Sequence, residues 1–227
     1  MRRIVCKNVK NLRDLGGFFT KENKVTKFNS IYRSDLPKDM SEEEIKYLVD
    51  NNLSTVIDLR KKEEVNRKGN CLNIPEFNYY NINLLGDKCP NEESDIPKGY
   101  MDILENIDTM YDVFNVIRKA KGSVLFNCSA GKDRTGVVSM LLLLLAQVYE
   151  DDIIADYQVS YTYIREDIRK MHKDNPDLPA FLGGSKLEYM EETLKLFFNK
   201  YKDINTYFKY LGFSDKEIKQ IKSKLIK

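Results

Sequence analysis

The sequence predicts an α/β fold: a central, mostly parallel sheet flanked by helices, followed by a helical C-terminal half. Three observations carry that expectation. Short, β-branched or apolar runs, "LSTVIDLR" (Leu53 to Arg60) and "SVLFNC" (Ser123 to Cys128), alternate with segments of helical period. The second of these runs passes through a loop of small residues directly into the apolar stretch "GVVSMLLLLLAQV". Strand, loop and helix in that order is how α/β proteins place ligands at the carboxyl ends of their strands. From Glu150 onward each segment reads as helix, with no repeat, low-complexity tract or Gly/Ser linker. With 227 residues, 42% of them hydrophobic, the chain can bury a full core, and one domain over residues 1–227 is expected.

Taken in order, "NLRDLGGF" (Asn11 to Phe18) carries paired glycines that signal a turn or close packing, and "SIYRSDL" (Ser30 to Leu36) is a short extended segment. Both are expected at or near the sheet. "SEEEIKYLVDNN" opens with Ser41, supplies acidic residues to a first turn and ends in asparagines, the start and stop signals of an amphipathic helix. It leads into the Leu53 to Arg60 strand, which sets Asp58 and Arg60 near a carboxyl end. Between Lys61 and Tyr100 prolines and glycines loosen the pattern, although "FNYYNINLL" suits a further strand. "YMDILENIDTMYDVFNVIRKAKG" reads as helix, with basic residues and Gly122 at its end. The last helix, from Ser214, has Glu217 three residues on, a capping box.

Composition narrows the function classes. Lys+Arg 37 against Asp+Glu 35 leaves a formal net charge of +2, too balanced for an electrostatic nucleic-acid binder. Any strong positive potential is therefore local. Neither a signal-peptide core nor the ~20 apolar residues of a membrane span is present, so a cytoplasmic protein without membrane insertion is expected. Cys6, Cys71, Cys89 and Cys128 form no C-x-x-C pair, and His172 stands apart from them, so no metal and no cofactor are expected. His172 itself, in the polar stretch "RKMHKDNPD", reads as a solvated residue.

The chemistry concentrates in "FNCSAGKDRTG", residues 126–136. A small-residue turn between strand and helix aims successive backbone N–H groups into a concave nest, and the helix adds its positive N-terminal end. Such a nest holds a phosphate-sized anion. Arg134 supplies a planar fork that matches two of the anion's oxygens. Cys128 sits at the base, where a helix N-terminus and cationic neighbours lower a thiol pKa from about 8.5 to roughly 3.5–7.5. A thiolate in line with a bound phosphoryl group is equipped for transfer through a phosphocysteine that water then hydrolyses.

"CSAGKDRTG" resembles the C-x5-R signature of protein tyrosine phosphatases, and most of all the bacterial branch with C-x-x-G-K-D-R-T-G. "NLRDLGG", "YRSDL", "DLRKKEEV", "DDIIADYQVS" and "YLGFSDKEI" are similar to family segments in the same order, so the resemblance covers nearly the whole chain. It implies a cysteine-phosphatase-like fold and a phosphoric monoester hydrolase acting on phosphorylated proteins, phosphotyrosine foremost, or on phosphoinositides. It implies Cys128 as nucleophile, Arg134 as phosphate clamp and Asp133 as general acid. Ser129, Ala130, Gly131, Lys132 and Asp133 would line the loop with their amides. It also implies that helices from about Glu150 to Tyr210 form or support a lid. The family usually carries histidine before the nucleophile; this chain has Asn127, which can donate hydrogen bonds but brings no charge.

Alternatives stand beside these roles. Lys132 is either a second cation for a polyanionic substrate or a solvated surface charge. Asp133 is either the acid or half of a structural ion pair; Asp58 and, more weakly, Asp87 are the other candidate acids. Asp58 and Arg60 together also read as a structural pair supporting the loop. Thr135 is a helix cap or a partner of the thiolate. Tyr157, Tyr161, Tyr163, Phe197 and Phe198 read as core. A catalytically weakened phosphate-binding module competes with the enzyme. A nucleotide-binding P-loop fails on its motif, because Phe126 stands at the first glycine position and Asp133 at the Ser/Thr position. Oligomeric state and any pairing of Cys71 or Cys89 with Cys128 are left open.

Overall fold

The computed structural model describes residues 3–84 and 90–226. Five strands form one sheet in the order β1-β2-β5-β3-β4: β1 (Arg13–Asp14), β2 (Ile31–Ser34), β3 (Leu53–Asp58), β4 (Asn78–Asn81) and β5 (Ser123–Asn127). Only β1 runs antiparallel to its neighbour; β2, β5, β3 and β4 pair in parallel. The register aligns Ser34, Asn127 and Asp58 across three adjacent strands. Their carboxyl ends therefore open together, directly beneath the loop that follows β5.

Alternation along the central strands divides the interior in two. Ile31, Ile57, Val124 and Phe126 point into the larger core, and Tyr32, Val56 and Leu125 into a smaller one with Leu48 and Leu72. The smaller core is covered by α1 (Glu42–Asp50), whose capping box at Ser41 forms as the sequence predicts. On the other side lies α5 (Asp133–Leu145), buried at every residue from Thr135 to Leu145. An all-apolar helix is stable only when neighbours enclose it, and α3 (Ile96–Leu104), α6 (Glu150–Asp174), α8 (Ile204–Tyr210) and α9 (Asp215–Leu225) do so. The Ser214 capping box of α9 is present too.

Four local expectations change. The single helix read from Tyr100 to Gly122 is two, α3 and α4 (Ile107–Lys119), broken at Glu105–Asn106. The loose region contains α2 (Lys62–Lys68), which buries no residue and so leaves no apolar signature. His172 is half-buried rather than solvated, its Nε2 lying 2.9 Å from the Leu182 carbonyl oxygen. Among the aromatics assigned to the core, Tyr157 and Phe197 are buried, whereas Tyr161 is 41% exposed. Among the described residues no helix is long and apolar enough to cross a membrane.

Candidate active site

Residues 128–132 form the loop between β5 and α5, and the hydrogen bonds of their carbonyls fix its shape. The Ser129 carbonyl accepts from the Leu36 N–H (3.2 Å). Asn11 Nδ2 donates to the carbonyls of Ala130 (2.9 Å) and Gly131 (3.0 Å), and Arg33 donates to Gly131 as well (2.8 Å). The Lys132 carbonyl accepts from Gly136 N–H inside the first turn of α5. In a trans peptide the N–H points opposite to the C=O. Three consecutive carbonyls drawn outward therefore turn the amides of Ala130, Gly131 and Lys132 inward. Among the described residues, no protein group accepts the N–H of Ala130, Gly131, Lys132 or Asp133. With the N-terminus of α5 behind them, these amides make an anion-binding nest.

Gly131 is indispensable to that shape. Its φ is +65°, and a Cβ there would lie 2.4 Å from the Asp35 nitrogen and 2.5 Å from the Ser34 carbonyl. Both obstacles are backbone, so neither can swing aside.

Cys128, 2% exposed, lies at the base of the loop. Arg134, on the first turn of α5, is gripped by Glu64 of α2 through two hydrogen bonds, 2.9 Å and 3.3 Å. Glu64 also accepts from the Ser129 hydroxyl (2.6 Å) and the Lys61 N–H (3.1 Å). Burial opposes the charge of Glu64, but the bonds from Arg134 and Ser129 outweigh it and hold the carboxyl down at about 2. For Arg134, burial likewise works against the cation, and the neighbouring Cys128, Glu64 and Asp133 more than compensate, raising the guanidinium above its ordinary range. Glu64 is a residue the sequence reading passed over. It sits in "DLRKKEEV", but only tertiary structure brings it to Arg134.

Asp133 is partly exposed and accepts from the Tyr100 hydroxyl (2.5 Å), which meets the Tyr157 hydroxyl at 2.7 Å. Burial, reinforced by Asp133, pushes both phenols well above their ordinary pKa. Lys132 is not the solvated surface charge considered above. It is 5% exposed, and its Nζ donates to the Gly184 carbonyl (2.6 Å) and lies 3.2 Å from Asp133.

Asp58, placed among the substrate-binding residues and considered as an alternative acid, occupies a different environment. It is fully buried, and its carboxylate accepts from Arg60 (2.6 and 2.9 Å), Asn70 (2.8 Å) and Tyr79 (3.0 Å). Burial works against its charge, yet the Arg60 and Asn70 bonds prevail and keep the carboxyl below its ordinary value. Both oxygens of this carboxylate are thus engaged by protein donors. Asn70 continues the link to Asn127 (3.2 Å), the residue before Cys128. Thr135 is the third residue of α5, so it is not the cap, and among the described residues its buried hydroxyl oxygen has no hydrogen-bond partner. Asp87 and Cys89 lie outside the described residues; Cys6, Cys71 and Cys128 are free thiols.

A tyrosine-protein phosphatase of Nostoc commune is 29% identical over 194 residues, covering 74% of this chain and 65% of that protein. The chain thus spans just under two thirds of that relative's length. Among solved structures, TpbA of P. aeruginosa aligns with a TM-score of 0.35 at 16% identity, over 65% of this chain and 88% of that one. The core catalytic domain of the PP-IP phosphatase SIW14 of S. cerevisiae aligns with a TM-score of 0.36 at 17% identity, over 68% and 94%. The family model described as the tyrosine phosphatase family matches residues 4–227, nearly the full chain. The chain belongs to the tyrosine phosphatase family.

Proposed function

We propose that this chain hydrolyses phosphate monoesters through a phosphocysteine on Cys128, with phosphotyrosine proteins as its first substrate class. The observation that carries the reading is the outward pinning of three loop carbonyls next to Cys128, which turns the amides of Ala130, Gly131 and Lys132 inward. A phosphoryl group seated there is met by donors already oriented for the charge of transfer.

Arg134, held at the loop by Glu64, is the clamp for the phosphoryl oxygens. The Cys128 thiolate attacks phosphorus; the S–P bond forms as the P–O ester bond breaks, and Asp133 gives its proton to the leaving oxygen. Water then attacks the phosphocysteine, Asp133 takes its proton, and the S–P bond breaks to release inorganic phosphate and the thiolate. Because Cys128 is nearly enclosed, an ester reaches the sulfur only after its phosphoryl group enters the amide ring. Lys132, beside Asp133, offers a second cation to substrates with further phosphates, such as phosphoinositides.

Turnover of p-nitrophenyl phosphate by the natural protein, lost in Cys128→Ser, is the expected result. Phosphate-ester binding without turnover at any pH would leave a phosphate-binding module in place of the enzyme. A panel of phosphotyrosine and phosphoserine peptides with phosphoinositides, run with Lys132→Ala, sorts the substrate classes: a loss confined to inositol lipids assigns the lysine to them.

A further inference from the structure

Asp133 stands at the start of α5, where a side chain 43% exposed has several rotamers open to it. Its neighbours select among them. Oδ1 accepts from the Tyr100 hydroxyl at 2.5 Å and lies 3.2 Å from Lys132 Nζ, whose shorter bond, 2.6 Å, goes to the Gly184 carbonyl. Among the described residues no protein donor meets Oδ2. The two oxygens therefore differ: one is anchored and the other is open.

Tyr100 is itself fixed. It belongs to α3, is 4% exposed, and its hydroxyl meets that of Tyr157 of α6, 1% exposed, at 2.7 Å. Each phenol has one proton to donate, and a carboxylate only accepts, so the Tyr100 proton goes to Asp133 and the Tyr157 proton to the Tyr100 oxygen. Burial, reinforced by Asp133, keeps both phenols protonated. The two rings pack edge to face with centroids 5.9 Å apart. Gly136, the last residue of the loop motif, gives Tyr157 its seat: a Cβ there would lie 3.2 Å from Tyr157 Cδ2. Three helices, α3, α5 and α6, thus converge on one carboxylate oxygen.

Resting on the phosphatase reading of Cys128, we propose that Tyr100, steadied by Tyr157, is a positioning residue that holds Asp133 by Oδ1 so that Oδ2 carries the transferred proton. The bond suits both states of the acid, because Oδ1 accepts whether or not Oδ2 is protonated. In the first step the proton passes from Oδ2 to the ester oxygen as the P–O bond breaks. In the second, Oδ2 takes a proton from the attacking water as the S–P bond breaks. The carboxylate need not turn between the two, and the bond matters most for leaving groups that require the proton.

The test is single-turnover release of the leaving group with protein in excess, which reads the first phosphoryl transfer alone. It compares a phosphotyrosine peptide, whose leaving phenol has a pKa of about 10, with p-nitrophenyl phosphate, whose leaving group departs readily as the anion. Tyr100→Phe keeps the ring and removes the hydroxyl. It should lower the peptide rate relative to the p-nitrophenyl phosphate rate about tenfold, the scale of one hydrogen bond to a charged group, with inhibition by inorganic phosphate unmoved. In an Asp133→Asn background the same substitution should leave that ratio unchanged. Tyr157→Phe should lower the ratio in the same direction, by less. A merely structural role would lower both rates alike or weaken phosphate inhibition. Either result, an unmoved ratio in Tyr100→Phe, or a further fall in the Asp133→Asn background overturns the proposal. Should Tyr100→Phe fail to fold by circular dichroism, the ratio in Tyr157→Phe, with and without Asp133→Asn, decides it. Turnover that survives Cys128→Ser, a variant with both tyrosines intact, would refute the phosphatase reading and the proposal with it, whereas the tyrosine results refute the proposal alone.

Discussion

Replacing Gly131 with alanine puts the loop geometry under the most direct strain. The backbone there has φ +65°, a conformation that costs an alanine about 1–2 kcal/mol. The added Cβ would lie 2.4 Å from the Asp35 nitrogen, against the 3.4 Å at which ordinary contact begins, so the loop must retreat by about 1 Å. A retreat of that size breaks the bonds from Asn11 and Arg33 to the Gly131 carbonyl or rotates the peptide they hold. Misplacement of reacting groups by about 1 Å costs roughly a hundredfold in rate, or about 2.7 kcal/mol of transition-state stabilisation. The expected outcome is kcat/KM on p-nitrophenyl phosphate reduced about a hundredfold, with thermal unfolding lowered by the smaller backbone cost. Gly99 is the control: it lies within α3 with nothing near its would-be Cβ, so Gly99→Ala should stabilise by about 0.5–1 kcal/mol and leave kcat unchanged. A Gly131→Ala enzyme within threefold of the natural one would refute the argument that outward carbonyl pinning builds the site.

Two further predictions follow from the groups around the loop. Glu64→Gln loosens Arg134 and should lower kcat/KM about tenfold, the scale of one charge-assisted hydrogen bond. Glu64 has a depressed carboxyl pKa in the folded chain, so its stabilisation is full above the ordinary value of about 4.3 and disappears as pH falls through about 2. The difference in melting temperature between the natural protein and Glu64→Gln should therefore close across that acidic window; a difference independent of pH would contradict the assignment. Asp133→Asn should slow the first phosphoryl transfer from a phosphotyrosine peptide by about a hundredfold while sparing the initial burst of p-nitrophenolate from p-nitrophenyl phosphate, whose leaving group needs little help from an acid. Equal losses on both substrates would place Asp133 in the scaffold instead.

Local chemistry made much of the fold legible. β3, β5 and the buried α5 follow from short apolar runs, and the helices opening at Ser41 and Ser214 from reciprocal caps that need only four residues to define. What escaped is what has no local period. In α2, seven residues rich in lysine and glutamate bury nothing, so no apolar stripe betrays a helix. The break between α3 and α4 falls at Glu105–Asn106, without glycine or proline to mark it.

The same division holds at the site. Cys128, Arg134 and the amide-bearing loop were readable because one contiguous motif contains them. Asn11, Arg33 and Glu64 reach the loop from elements far away in sequence, and a buried arginine looks no different from a surface one until its partner is known. Asp58 shows the same limit from the other side. Its position at a strand's carboxyl end suggested contact with substrate, but Arg60, Asn70 and Tyr79 fill its carboxylate before a ligand could.

The central claim is that one sulfur receives the phosphoryl group. Rapid quenching of the protein with a phosphotyrosine peptide in acid, followed by peptide mass spectrometry, tests it most directly. The account predicts one added phosphoryl group on the peptide containing Cys128, accumulating further in Asp133→Asn when phosphotyrosine is replaced by an ester with a good leaving group, and absent from Cys128→Ser. Release of inorganic phosphate with the label on another residue, or with no covalent adduct in any variant, would contradict it.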